Sequence, residues 1–176
     1  MSIIFTTTSN ISLSIPIQLL FWAFVAVYVI HILEESVLGE NFVDKVRKNF
    51  IPFYDWTKFF WFNSFLLSLN VIAIIVYDTE GGRWIIFPLS LAFERALNGV
   101  WHLGETIVTR KFSSGLLASV LTFILTYLLI RYSLLMGEIS YRDFSIALGI
   151  GTLITTLMFS ALFITKAKTM KHPSQG

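Results

Sequence analysis

The chain has no cysteine. That absence excludes a disulfide framework, a thiol nucleophile and any thiolate-bound metal. Charge is scarce too: Asp, Glu, Lys and Arg make up 14% of the sequence, where a soluble domain carries about 25%. The net charge is only +2, and the basic residues gather at the ends of apolar runs, so nothing points to a nucleic-acid partner. Internal repeats at solenoid periods and low-complexity tracts are missing. A cleavable signal peptide is not expected: MSIIFTTTSNISLS lacks a basic segment, and the apolar run after it is too long for one.

What fills the chain is apolar. Hydrophobic residues account for 55%, with 17 Phe and 5 Trp, and the mean hydropathy is +0.72. This is the composition of a chain whose solvent is lipid. A helix needs about 20 mostly apolar residues to cross a bilayer. Five stretches meet that length, at about 16–38, 56–77, 84–108, 114–136 and 141–165. The expected fold is therefore all-α, an integral membrane bundle of about five transmembrane helices forming a single domain over 1–176. Pro16 suits a first helical turn, Gly39 a helix terminus, and Asp78–Gly82 a short turn. Residues 40–53 alternate Phe42, Val46, Phe50 and Phe53 with Asp44, Lys45, Arg47 and Lys48, the pattern of an interfacial connector with a solvated charged face that includes Glu40. The polar tail from Lys166 onward is expected to fray.

The basic residues fix an orientation. With five spans, Lys45, Arg47, Lys48, Lys58, Arg110, Lys111, Lys166, Lys168 and Lys171 share one side, and Arg83, Arg131 and Arg142 the other. The positive-inside rule then puts the N-terminus outside and the C-terminus in the cytoplasm of a multi-pass cell-membrane protein.

Two of the apolar stretches carry ionisable groups. The first places His31, Glu34 and Glu35 on one helical face with Tyr28. The third gathers Glu94, Arg95, Asn98, His102 and Glu105 into roughly a 100° wedge, which Leu91 shares. At 1.5 Å per residue, His31 lies about 22 Å into its span, Asn98 about 21 Å and His102 about 27 Å. These three therefore share a height in the cytoplasmic half, with Asn63 of the second span near them and Asn70 deeper. Spans one to three are expected to enclose a polar cavity.

Such groups are costly, each about 2.5–3.5 kcal/mol at mid-bilayer. They must pair, stay protonated or bind something. Structural roles exist for several: Arg95 can pair with Glu94, and Glu34, Glu35 and Glu105 lie near helix ends where they can reach water. A single histidine is more often packed than ligating. Two His-x-x-Glu pairs on neighbouring spans, however, form the donor set of a divalent transition metal, with zinc favoured and iron or manganese alternatives. The ligands are sought among His31, Glu34, Glu94, His102 and Glu105. Glu35 is assigned as the base, with Asn98 and Arg95 beside it in the catalytic set.

His31-Ile32-Leu33-Glu34-Glu35, followed by Asn98-Gly99-Val100-Trp101-His102-Leu103-Gly104 and the basic turn Arg110-Lys111, resembles the HXXEE family of small multi-span bacterial membrane proteins over roughly residues 15 to 135. The resemblance implies that His31, Glu34, Glu35, Asn98 and His102 act as a set. It supplies no reaction, and it does not extend to Glu94 or Glu105. The leading expectation is a membrane-embedded, metal-dependent hydrolase for a lipidic or amphiphilic substrate. A proton- or ion-coupled transporter, a metal-free isomerase and a structural subunit are the alternatives, and a homo-oligomer is left open.

Overall fold

The computed structural model describes residues 16–38 and 42–171. Gly39, Glu40 and the last residues of the polar tail, for which a terminus, a solvated charge and fraying were expected, lie outside these. The described chain is helical: α1 (Ile17–Val37), α2 (Phe42–Asn49), α3 (Trp56–Glu80), a 3-10 turn (Gly82–Ile85), α4 (Ile86–Thr109), α5 (Leu116–Leu135) and α6 (Tyr141–Lys171). The long helices coincide with the expected spans to within a few residues, except that α6 continues through the start of the expected tail. Pro16 stands just before α1. Asp55 caps α3, its carboxylate accepting the Lys58 amide at 2.9 Å. Gly81 and Gly82 end α3 at φ 65° and 52°, a backbone region that costs other residues strain.

Among the described residues four helices, α1, α3, α5 and α6, are long and apolar enough to cross a membrane. The fifth long helix, α4, matches their length but carries Glu94, Arg95 and Glu105. Its place in the bundle accounts for the difference. It packs along both α5 and α6, and every residue from Pro88 to Arg95 is buried. That enclosed stretch tolerates the Glu94–Arg95 pair, while Val100, Leu103, Ile107 and Val108 further along remain exposed, so the polar residues keep to one stripe.

The bundle alternates in direction. Phe21 of α1 meets Tyr77 of α3 at 5.7 Å between ring centroids, which makes those helices antiparallel. Phe93 meets Phe144 and Trp101 meets Phe159, so α4 and α6 run parallel. Small residues set the close approaches. A Cβ at Gly151 would lie 2.6 Å from the Ser90 carbonyl, and one at Gly99 3.1 Å from Ser119, the small-residue packing usual between membrane helices. The apolar core joins Leu20, Phe21 and Phe24 of α1 with Ile74 and Tyr77 of α3, Leu89, Ala92 and Phe93 of α4, Leu129 and Ala147 at one end of the bundle. The other end collects Lys45, Arg47, Lys48, Lys58, Arg110, Lys111, Lys166 and Lys168 and holds the buried ionisable groups of α1.

Candidate functional site

The second half of α1 turns His31, Glu34 and Glu35 inward, all at least 95% buried. Being at i, i+3 and i+4, the three share a face, yet they part company at their tips. Glu35 Oε1 lies 3.5 Å from His31 Nε2 and 3.4 Å from His102 Nε2. The His31 and His102 rings meet edge to face with centroids 5.1 Å apart. One donor atom from each of His31, Glu35 and His102 fits within a 4.8 Å group. Asn98, one turn before His102, sets its amide nitrogen 3.4 Å from both Nε2 atoms.

Glu34 goes elsewhere. Its two carboxylate oxygens accept the backbone N–H groups of Leu117 at 3.0 Å and Ala118 at 2.8 Å. Helix α5 has no side-chain cap of its own, since Gly115 occupies that position, so a carboxylate from α1 satisfies two of its free amides and complements its dipole. Glu94 is also engaged. It forms a two-pronged ion pair with Nε and Nη2 of Arg95, whose guanidinium stacks 4.7 Å above the Tyr28 ring. Tyr28 in turn donates to Asn63 Oδ1 at 3.2 Å. Asn70 turns back to the Leu66 carbonyl of its own helix. Glu94, Arg95, Tyr28 and Asn63 form a layer beneath the histidines.

Glu105 serves from outside. Lys45 of α2 approaches both of its oxygens at 2.9 Å, and Ser113 donates its hydroxyl hydrogen to Oε2. His102 Nδ1 lies 3.0 Å from the Ser113 oxygen. With that hydroxyl hydrogen committed to Glu105, Nδ1 must carry the proton and donate it to Ser113. The lone pair of His102 is thereby left on Nε2, aimed at Glu35 and His31. Orientation of a ligating imidazole through its second nitrogen is the usual arrangement around protein-bound metals. Lys45 belongs to the segment expected to be a solvated connector, but α2 buries Val43 and Val46 and lies against the site.

The structure thus brings together His31, Glu35, His102 and Asn98. It places Glu34, Glu94 and Glu105 on other partners, and Arg95 in the layer below. Four residues contribute from a place the sequence reading did not consider, the turn into α5 and that helix's first turn. Ser113 orients His102. The Leu117 and Ala118 amides hold Glu34. Gly115, at φ 98°, leaves the space that the imidazoles occupy, since a Cβ there would sit 2.8 Å from His102 Cε1 and 2.9 Å from His31 Cε1. Ser113-Ser114-Gly115 ahead of an apolar run is a helix-start signature, so the turn was legible but its role was not.

Glu35 and Asn98 open onto a cleft of about 1100 Å³ between α3, α4 and α6, with α2 at its basic end. Tyr54, in the connector, lines the same cleft. Burial, with Glu35 and Asp55 nearby, pushes its phenol up from the usual tyrosine value, so it remains a neutral hydrogen-bonding group.

No curated protein and no solved structure matches the chain at a significant level. A family model described as "Protein of unknown function with HXXEE motif" matches residues 22–130, a stretch that contains His31, Glu34, Glu35, Asn98, His102 and the whole turn into α5. The chain belongs to the HXXEE family.

Proposed function

We propose that His31, Glu35 and His102 bind a divalent transition metal, zinc in the first instance, and that the protein is a membrane-embedded hydrolase of lipidic or amphiphilic substrates. The observation that carries this reading is the spacing of the donor atoms. Ligands about 2.0–2.1 Å from a tetrahedral zinc lie about 3.3–3.4 Å from each other. Glu35 Oε1 meets that spacing at 3.5 and 3.4 Å from the two imidazole nitrogens, and the three donor atoms together lie within 4.8 Å of one another. Two neutral imidazoles and one carboxylate also match the common ligand set of catalytic zinc, which keeps one position open.

A metal held there supplies Lewis acidity and a water acidic enough to act as a nucleophile near neutral pH. The chain supplies the rest. Glu35 presents Oε1 to the donor group, which leaves Oε2 to take up a proton. Asn98 faces the same point and, by turning its amide oxygen inward, adds a fourth donor or orients the group that reacts. Ser113 and Glu105 keep His102 in the ligating tautomer. Arg95, tied to Glu94, fixes the polar wall behind Glu35. The site belongs to the basic end of the bundle, and the positive-inside rule favours the cytoplasm for that end.

Elemental analysis of protein purified without chelator tests the reading. One equivalent of transition metal is expected in the wild type, with a loss of at least tenfold in His31→Ala, His102→Ala and Glu35→Ala. Glu94→Gln, whose carboxylate lies outside the donor group, should keep its metal. A wild-type protein that carries no transition metal and takes up none on titration would refute the proposal.

A further inference from the structure

The cleft beside Glu35 is far larger than a metal centre requires. Its volume of about 1100 Å³ lies just above the roughly 300–1,000 Å³ range of small-molecule pockets. One wall is Trp61, Phe62 and Phe65 of α3, and the other includes Leu157 and Leu162 of α6. These two helices are not packed extensively on each other, so the gap between them faces sideways, toward lipid. Trp61 is 74% exposed and Leu157 61% exposed although both line the cleft. The apolar lining therefore continues onto the outer surface of the bundle without a polar rim.

The basic end of the cleft has a different character. A second cavity of about 210 Å³ adjoins it there. The two share Asn49, Phe50 and Lys166, and the smaller adds Arg47, Lys48 and Thr169. Arg47 is paired with Asp44 at 3.1 Å. Lys166 lies 5.2 Å over the Phe50 ring. Among the described residues neither Lys48 nor Lys166 enters an ion pair. An apolar slot open to the bilayer thus runs into a small chamber with two cations uncompensated by carboxylates. A zwitterionic head group would bring its own cation to the same lysines, whereas a net negative one would not.

The geometry points to an anionic membrane lipid as the occupant, entering sideways between α3 and α6 with its head group on Lys48 and Lys166. The inference rests on the metal-site reading in one respect, that this lipid is the substrate class of the site at Glu35. Binding itself needs no metal. The lysines do for the head group what the bilayer does for the chain. Together they hold the amphiphile along the wall that carries Glu35 and Asn98.

Trp101 lies in the cleft, 6.3 Å from Phe50 between ring centroids, and reports on its contents. The full-length protein in detergent is titrated with lipids brominated on their acyl chains, which quench nearby tryptophan. The Trp101 signal is the difference between wild type and Trp101→Phe. Brominated phosphatidylglycerol is expected to quench at a mole fraction about tenfold lower than brominated phosphatidylcholine, in line with two basic side chains facing one anion. Lys48→Glu/Lys166→Glu should abolish that preference. Lys111→Glu, a charge reversal at the same end but outside both cavities, should retain it. Because Lys166 also stacks on Phe50, the exposed Lys48→Glu alone serves if the double variant does not fold, with a reduced preference expected.

Equal quenching by both lipids in the wild type overturns the inference, as does a preference that survives the lysine reversals. Displacement of the lipid by millimolar inorganic phosphate would mean that the chamber is a site for soluble anions, and would overturn it too. The same titration on His31→Ala separates the two readings. A preference that persists without metal, together with a metal-free wild type, leaves the lipid site standing and removes the metal centre. Metal in the wild type with no lipid preference does the reverse.

Discussion

At Gly115 the backbone sits at φ 98° and both imidazoles press against the place where a side chain would begin. Alanine there meets two penalties. The backbone conformation costs an L-residue about 1–3 kcal/mol, and the new methyl group overlaps two buried rings, typically a further 1–3 kcal/mol. Gly115→Ala is expected to lower the unfolding midpoint and to weaken metal binding at least tenfold, since the rings must move apart. Metal titration alongside thermal unfolding checks this, and an unchanged metal affinity would contradict the proposed placement of the rings around the metal. The sequence showed which histidines belong together, because depth and helical phase are local properties of α1 and α4. It put Glu34 among the ligands and Glu35 as the base, whereas Glu35 is the one that stands between the histidines, and it did not foresee Gly115. Positions i+3 and i+4 share a helical face, and the choice between them is made by backbone amides 83 and 84 residues further along.

At the level of elements, the partnership of α1 with α5 is the contact that local reasoning missed. Helix α5 starts without a cap, and its N-terminus draws in the Glu34 carboxylate. Removing that acceptor should leave two amides, the buried one of Ala118 and the part-buried one of Leu117, without a partner. Each such group costs about 1–3 kcal/mol, so Glu34→Ala is expected to destabilise the bundle markedly. Glu34→Gln, which keeps one carbonyl acceptor, should cost less, and it should leave the metal content near wild type. Chemical unfolding in mixed micelles with parallel elemental analysis separates the roles: loss of metal from a well-folded Glu34→Gln protein would make Glu34 a ligand. Helix boundaries, by contrast, were legible almost throughout, because about 20 apolar residues between polar turns admit few alternatives. The exception in character is α4. The complete burial of its stretch from Pro88 to Arg95 comes from the neighbours that surround it, which no property of its own sequence announces. The role of α2 was hidden for the same reason: Lys45 reads as solvated until Glu105 is placed opposite it.

The molecule as a whole is polarised, with its apolar core at one end and the buried ionisable groups of α1 and the lysines at the other. The lack of cysteine, which excluded so much chemistry, makes this directly measurable. Single cysteines at Lys48 and Lys111 should react with a membrane-impermeant maleimide from the cytoplasmic side only, and cysteines at Glu80 and Glu138 from the opposite side only. Labelling of all four from one side would overturn the alternating arrangement of the helices across the bilayer. The same polarity has a consequence for how the protein is made. The ribosome delivers α1 with His31, Glu34 and Glu35 long before the α5 amides that hold Glu34 exist. At 5–20 residues per second the delay is about 4–17 s. Until then α1 is a segment with three unsatisfied polar side chains, a poor candidate for settling alone in hydrocarbon. The centre is therefore a late product of synthesis, and α1 has to be sheltered by the insertion machinery, or wait at the interface, until the turn at Gly115 arrives to receive it.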